Sequence, residues 1–128
     1  MPKEKIKTFE DLETWKAAHN FVLRVYELTR AFPRDELFAL TSQLRRAVVS
    51  ITSNIAEGFS RQSYKEKIQF YSMALGSLTE AKSQLIIAKD LLYIRQENYN
   101  QVKDSSIRTH KMLNGLIKAS KVKLSPNS

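Results

Sequence analysis

The stretch from Leu40 to Gly58, LTSQLRRAVVSITSNIAEG, decides the fold. Apolar residues recur in and just before it at steps of three and four, the spacing of one face of an α-helix. This face comprises Leu37, Leu40, Leu44, Ala47, Val48, Ile51 and Ile55. From Leu37 to Gly58 the only charged residues are Arg45, Arg46 and Glu57. Because an ordinary surface helix is charged over its outer side, we expect this one to be covered on more than one side.

A second stripe on the same helix carries hydrogen-bonding groups at spacings of three and four: Gln43, Arg46, Ser50, Asn54 and Glu57. Solvated helix faces are usually rich in Lys and Glu, so small polar residues favour a hydrogen-bonded seam between helices or subunits. A solvated face and a ligand site are the alternatives. Within such a seam, Arg46 is expected to pair with Glu57 or Glu80.

Length and composition point to a single domain over residues 1–128, built from few, long elements. The chain has 128 residues, three Gly, three Pro and no Cys. Without Cys, disulfides and thiolate chemistry are excluded, and the cytoplasm is the natural setting. No apolar run approaches the roughly 18 residues of a membrane span, and the polar start does not resemble a signal peptide.

Helical periodicity and turn signals predict four helices, at about 9–31, 34–57, 63–92 and 98–121, with 1–7 and 123–128 flexible. No segment alternates with period two, so the predicted class is all-α. Short connections make consecutive helices antiparallel neighbours, an up-down-up-down four-helix bundle. Gly58 is expected in the left-handed position that ends a helix, and Asn98 is expected to cap the fourth helix. Gly76, inside the third helix, suggests close approach of another backbone.

The third and fourth helices have clear apolar faces of their own. In the third helix the predicted buried line has steps of three and four: Tyr71, Ala74, Leu78, Ala81, Leu85, Ala88 and Leu92. In the fourth helix the predicted apolar face is Tyr99, Val102, Leu113, Leu116 and Ile117. These patterns are the seams of bundle packing.

Enzyme chemistry finds little support in the sequence. His19 and His110 lie on different helices, neither has an Arg at the spacing of a helical RNA-cleaving motif, and no Glu-x-x-His pair exists. No metal-ligand spacing or Gly-rich phosphate loop is present. We therefore predict no catalytic residues, no metal and no cofactor.

Positive charge is concentrated in the last part of the chain. The net charge is +8, and residues 93–128 hold seven Lys and Arg against two acidic residues. One side of the predicted fourth helix gathers Lys103, Lys111, Lys118 and Lys121, with Arg108 flanking. Such a surface would bind nucleic acid through phosphate charge; the alternative is a solvated face that keeps the protein soluble.

The segments FEDLETWKAAHNFVLRVYELTRAFP, LFALTSQLRRAVVSITSNIAEGFSR and FYSMALGSLTEAKSQL carry a family resemblance. Over about residues 9–117 the chain resembles the bacterial four-helix-bundle proteins encoded in 23S rRNA intervening sequences. The resemblance implies a homopentamer with a central channel and no catalytic role. It also implies kinship with the accessory proteins of diversity-generating retroelements, basic pentamers that bind nucleic acid and a reverse transcriptase. The family's characteristic residues correspond here to Gln43, Arg45, Arg46, Ser50, Asn54, Glu57, Gly58, Gly76, Ser77 and Glu80.

Together, the residues and the resemblance predict a cyclic homo-oligomer of antiparallel four-helix bundles, with the second and third helices supplying subunit contacts. The predicted contact residues are Gln43, Arg46, Ser50, Asn54, Glu57, Gly76, Ser77 and Glu80. The predicted function is a non-enzymatic scaffold that binds RNA or DNA, as an accessory to a nucleic-acid enzyme. Its predicted nucleic-acid surface is Arg45, Lys103, Arg108, Lys111, Lys118 and Lys121. The alternative is a protein-interaction module that binds no nucleic acid.

Overall fold

The computed structural model of the chain describes residues 5–124, which form four α-helices and contain no strand. The helices are α1 (Glu13–Thr29), α2 (Leu40–Ser60), α3 (Tyr64–Asp90) and α4 (Gln96–Lys123), with short 3-10 helices at Phe9–Asp11 and Arg34–Glu36. The all-α class is therefore confirmed. The flexible ends predicted at 1–7 and 123–128 fall mainly outside the described residues, although Lys123 is the last residue of α4.

The starts of α1 and α2 differ from the prediction because each is preceded by a separate 3-10 turn. Leu12 is extended, with φ −71° and ψ 125°, and it separates the first turn from α1. Ala39, with φ −126° and ψ −105°, similarly holds the second turn apart from α2. Leu37 consequently lies before the helix and is 45% exposed, so its predicted place in the core is wrong.

The predicted helix-ending glycine and the predicted cap of α4 are also wrong. Gly58 lies inside α2, because that helix continues to Ser60. Lys67 Nζ donates to the carbonyl of Phe59 at 2.7 Å. The lysine side chain therefore satisfies a carbonyl at the end of α2, where helices that end in a left-handed glycine use a backbone N–H. The positive φ belongs instead to Leu92, at 67°, after α3. α4 begins at Gln96, before Asn98, with Arg95 in the capping position.

The four helices surround one core. Each helix packs against its neighbour in the chain, and α1 packs against α4. The predicted line on α3 is buried from Tyr71 to Ala88, but Leu92 is 89% exposed because it lies past the end of the helix. Large fully buried side chains come from all four helices: Phe21, Val25, Leu44, Ile51, Ile55, Leu78, Val102 and Leu113.

The interior surface of α4 is partly polar, which periodicity did not predict. Ser106, Thr109 and Ser120 are buried. Each hydroxyl donates to a carbonyl one turn earlier on α4, at 2.7 to 2.9 Å. Because the donors are satisfied within the helix, burying these residues leaves no unpaired hydroxyl hydrogen.

The connectors α1–α2 and α3–α4 are linked at one end of the molecule. Tyr93 Oη donates to Glu36 Oε2 at 2.9 Å, and the Tyr93 and Phe32 ring centroids are 5.6 Å apart. The bond to Glu36 raises the pKa of Tyr93. No helix within residues 5–124 is long and apolar enough to cross a membrane.

Candidate functional site

The middle of the predicted polar stripe forms a seam between α2 and α3. Ser50 Oγ and Ser77 Oγ are 2.8 Å apart and share a hydrogen bond. Asn54 Nδ2 donates to Ser50 Oγ at 3.0 Å and to the Ser50 carbonyl at 2.9 Å. These three half-buried side chains therefore form a small polar network on the outer surface of the α2–α3 pair.

The ends of the stripe point outward instead. Gln43, Arg46 and Glu57 are exposed. The predicted ion pair between Arg46 and either Glu57 or Glu80 does not form. Glu57 pairs with Arg61, the residue that follows α2, at 3.4 Å, and Glu80 accepts from Gln84 Nε2 at 3.2 Å. Both carboxylates thus use partners four residues further along the chain, which are closer in sequence than Arg46.

An open groove of about 390 Å³ follows this seam. We call it the polar groove; it is lined by Gln43, Arg46, Ala47, Ser50, Ser77 and Glu80. Gly76 lies beside it on α3 and is exposed. A Cβ atom added to Gly76 would meet nothing within 4 Å, so the predicted close approach of another backbone is not made within the described chain.

The predicted cations of α4 are all exposed. We call Lys103, Arg108, Lys111, Lys118 and Lys121 the basic face. From Ser105 to Lys123 the chain contains no Asp or Glu. The ion pairs formed among residues 5–124 involve none of these five side chains. The basic face is therefore a set of cations available to an external anion.

Arg45 does not join the basic face, although the sequence placed it in the same surface. Its Nε donates to Thr29 Oγ1 at 2.9 Å, and its guanidinium lies 4.9 Å from the centre of the Tyr26 ring. Both partners are on α1. Since α2 and α4 are not in contact, the structure separates Arg45 from the helix 4 cations.

A lysine–histidine pair between α3 and α4 was missed by sequence reasoning. Lys82 Nζ lies 2.7 Å from His110 Nδ1. Burial lowers the pKa of Lys82, and burial together with the Lys82 charge lowers the pKa of His110. The neutral imidazole can therefore accept from the ammonium group. The spacing of residues in the sequence does not predict this contact, because it depends on how α3 and α4 are aligned along their axes.

A small slot lies beside that pair. It has a volume of about 110 Å³ and is lined by Lys82, Leu85, Ile86, Tyr99, Lys103, Ser106 and Ile107. Lys89 Nζ lies 4.8 Å from the centre of the ring of Tyr99, one of the lining residues. We call this depression the α3–α4 slot.

His, Asp and Glu side chains do not gather in groups of three that could hold a metal ion anywhere between residues 5 and 124. His19 stacks on Trp15, with ring centroids 4.7 Å apart. The other histidine is held by Lys82. Each histidine thus has a local packing or hydrogen-bonding partner.

Comparison with known proteins identifies the family. The family model described as 23S rRNA-intervening sequence protein matches residues 10–115. Among solved structures, the chain is similar to a protein of unknown function from the S23 ribosomal protein family of Bacteroides thetaiotaomicron VPI-5482. That similarity has a TM-score of 0.76 and 25% identity, over 82% of this chain and 95% of the other. None of the curated proteins compared with the chain matches it. Because the family match spans most of the sequence, the chain belongs to the 23S rRNA-intervening sequence protein family.

Proposed function

We propose that this protein is a non-enzymatic scaffold that binds RNA or DNA through the basic face of α4. The observation that carries the proposal is the acid-free segment from Ser105 to Lys123, whose predicted cations are exposed. Lys111, Lys118 and Lys121 have no Asp or Glu within one turn on α4, so their charges are available to phosphates along this segment. Such contacts release counterions and give affinity without reading base sequence.

The proposed topology is an antiparallel up-down-up-down bundle. Contacts that join the end of one helix to the start of the next support it: Thr29 of α1 with Arg45 of α2, and Lys89 of α3 with Tyr99 of α4. The first and last helices are also in contact, since Thr14 Oγ1, at the start of α1, lies 3.4 Å from the carbonyl of Met112 in the second half of α4.

The proposed assembly is a cyclic homo-oligomer, a pentamer by family resemblance, with the polar groove at a subunit contact. The line of α3 that borders the groove supports this, since its apolar residues Met73, Ile87 and Leu91 are 46% to 54% exposed. They flank the polar Ser77 and Glu80 on the same line. Exposed apolar side chains close together on one surface are a feature of protein contacts. A ring would also repeat the basic face and increase avidity for a long polyanion.

The nucleic-acid proposal is tested by fluorescence anisotropy with a labelled single-stranded RNA and a labelled duplex DNA over a range of salt. The test variant reverses Lys111, Lys118 and Lys121 to Glu. For the duplex, we expect weaker binding and a log–log salt slope reduced by about 2 to 3, because each lost phosphate contact removes about 0.9. Unchanged affinity and slope would contradict the proposal.

A matched control reverses three exposed cations elsewhere: Lys7, Arg30 and Lys65. This variant has the same net charge as the test variant, so it separates the position of the charge from its amount. Affinity lost equally in both variants would show that total charge matters and the basic face does not.

The second candidate is a protein-interaction module, favoured by the 91% exposure of Phe38. A reverse transcriptase is the first protein partner to test, because the family resemblance implies it, and a gene for one beside this gene would support the pairing. An intact oligomer that retains neither RNA nor DNA at low salt would favour this second function.

A further inference from the structure

Phe38 is the most exposed large apolar side chain of the described residues, at 91%. It lies in the connector before α2, in the sequence Asp35-Glu36-Leu37-Phe38. Leu37 is 45% exposed, and the Asp35 carboxylate is exposed and in no ion pair within residues 5–124. The segment therefore presents an aromatic ring beside a free negative charge.

The α3–α4 slot has the complementary character. Its apolar side chains are Leu85, Ile86 and Ile107, of which the last two are 44% and 39% exposed. Small-molecule sites usually have volumes of about 300 to 1,000 Å³. A slot of about 110 Å³ is too small for such a ligand and suits one apolar side chain.

The charge around the slot is positive. Lys82 and Lys103 line it, and the residues one turn away from either lysine on its own helix are all uncharged. In the described part of the chain neither lysine forms an ion pair with a carboxylate. Lys82 instead donates to His110. An occupant with a carboxylate next to its apolar group would be attracted, whereas a nucleobase would bring polar edges to an apolar lining.

We propose that Phe38 of one copy inserts into the α3–α4 slot of a second copy, where Asp35 pairs with Lys82 and Lys103. This is a further subunit contact of the proposed oligomer, separate from the polar groove, and it rests on that part of the proposed function. It uses Lys103 of the basic face and leaves the other four cations of that face to nucleic acid. A contact between two different surfaces gives a two-fold dimer when it is reciprocal, and a ring or a filament when it is head-to-tail. The head-to-tail form matches the cyclic assembly proposed above.

The location of the two surfaces fits a ring. The Tyr93–Glu36 hydrogen bond holds the α1–α2 and α3–α4 connectors at one end of the bundle. Phe38 follows the first connector, and Tyr99 of the slot follows the second. Copies arranged side by side with parallel axes would therefore present the Phe38 side chain and the α3–α4 slot at a similar height along the bundle axis.

Sedimentation velocity of the wild-type chain and of Phe38→Ala tests the contact. Loss of one buried aromatic ring should weaken self-association by about 10- to 100-fold. Leu92→Ala is the matched control, because Leu92 is 89% exposed at the same end of the bundle and should leave association unchanged. Phe38→Ala associating like the wild type overturns the inference.

Charge reversal supplies the second test. Asp35→Lys and Lys82→Glu should each weaken association, by about fivefold for a pair of this exposure. The double variant should recover part of that loss, because Lys103 still opposes a lysine at position 35. Circular dichroism verifies the fold of each variant, and Lys103→Glu replaces Lys82→Glu if the lost His110 contact disturbs it. A double variant no better than either single variant overturns the inference.

The groove and the slot are distinguished by a third variant. If Ser77→Arg in the polar groove breaks the oligomer while Phe38→Ala does not, the inference is wrong and the proposed groove contact stands. A wild-type chain that remains monomeric overturns both.

Discussion

Gly58→Ala should destabilise this protein, the reverse of the usual effect of that substitution inside a helix. Gly58 is buried in α2 against α3. A Cβ atom added there would lie 2.6 Å from Tyr71 Cε1, 2.9 Å from Tyr71 Cδ1 and 3.1 Å from Phe70 Cβ. Tyr71 is 2% exposed, so its ring has no open space to enter. The new methyl group therefore forces α2 and α3 apart or displaces a packed ring.

Two opposing contributions determine the size of the effect. Replacing Gly by Ala in a helix interior gains about 1 kcal/mol from backbone entropy. Overpacking a dense interior costs about 1 to 3 kcal/mol. Because the nearest contacts are shorter than carbon atoms tolerate, we place the cost in the upper part of that range. The net expectation is a loss of about 1 to 2 kcal/mol in the free energy of unfolding.

The assay is urea unfolding followed by circular dichroism, at one low protein concentration so that association contributes equally. The midpoint should fall with an unchanged m-value. Gly115→Ala is the control, because that glycine is exposed inside α4 and a Cβ there meets nothing within 4 Å. It should gain up to about 1 kcal/mol. If Gly58→Ala is stabilised like Gly115→Ala, the packing argument for Gly58 is refuted.

Two further predictions concern the α2–α3 pair. A double-mutant cycle of Ser50→Ala and Ser77→Ala in urea unfolding should give a coupling energy of about 1 kcal/mol, the contribution of one hydrogen bond. Thr79→Ala is the control, because it removes a hydroxyl bonded to its own helix, and it should show no coupling to Ser50→Ala. A coupling energy equal to that of the Ser50–Ser77 pair would contradict a hydrogen bond between these two serines. Burial raises the pKa of Tyr71 to about 12 from 10.0, so the folded state favours the neutral phenol. The resulting stabilisation of the fold is fully present below pH 10 and is lost as the pH rises to 12. Wild type should lose about 2 kcal/mol more than Tyr71→Phe across that interval, and identical pH profiles would contradict the prediction.

The helix faces were predictable because they depend on local periodicity. Tyr71, Ala74, Leu78, Ala81, Leu85 and Ala88 follow a spacing of three and four, and all six are buried. Helix ends were less predictable, because a 3-10 turn or a side chain from another helix can replace the expected cap there. Asp35 and Glu36 have the charge of a helix start, yet they belong to a separate 3-10 turn. Lys67, a residue of the following helix, hydrogen-bonds to the Phe59 carbonyl at the end of α2, where Gly58 was expected to end the helix.

The candidate site was predictable only where the spacing of residues along one helix determines which side chains lie together. The stripe spacing placed Ser50 and Asn54 on one side of α2, where Ser50 bonds to Ser77 of α3 and Asn54 bonds to Ser50. Arg45 and Arg46 are adjacent and chemically identical, but a rotation of about 100° per residue sends one to α1 and the other to the polar groove. The Lys82–His110 contact depends on how α3 and α4 slide along each other, which periodicity does not specify.

The buried hydroxyls of α4 bear on the order in which the molecule opens. Ser106, Thr109 and Ser120 hydrogen-bond to their own helix, so they remain satisfied when α4 separates from the bundle. They also contribute less apolar burial than the alanines and leucines at comparable positions of α3. Detaching α4 therefore loses less apolar burial than detaching α3, and α4 should open before α3 in local unfolding. The helix that carries the basic face is then also more able than α3 to adjust its position to the spacing of a bound chain of phosphates.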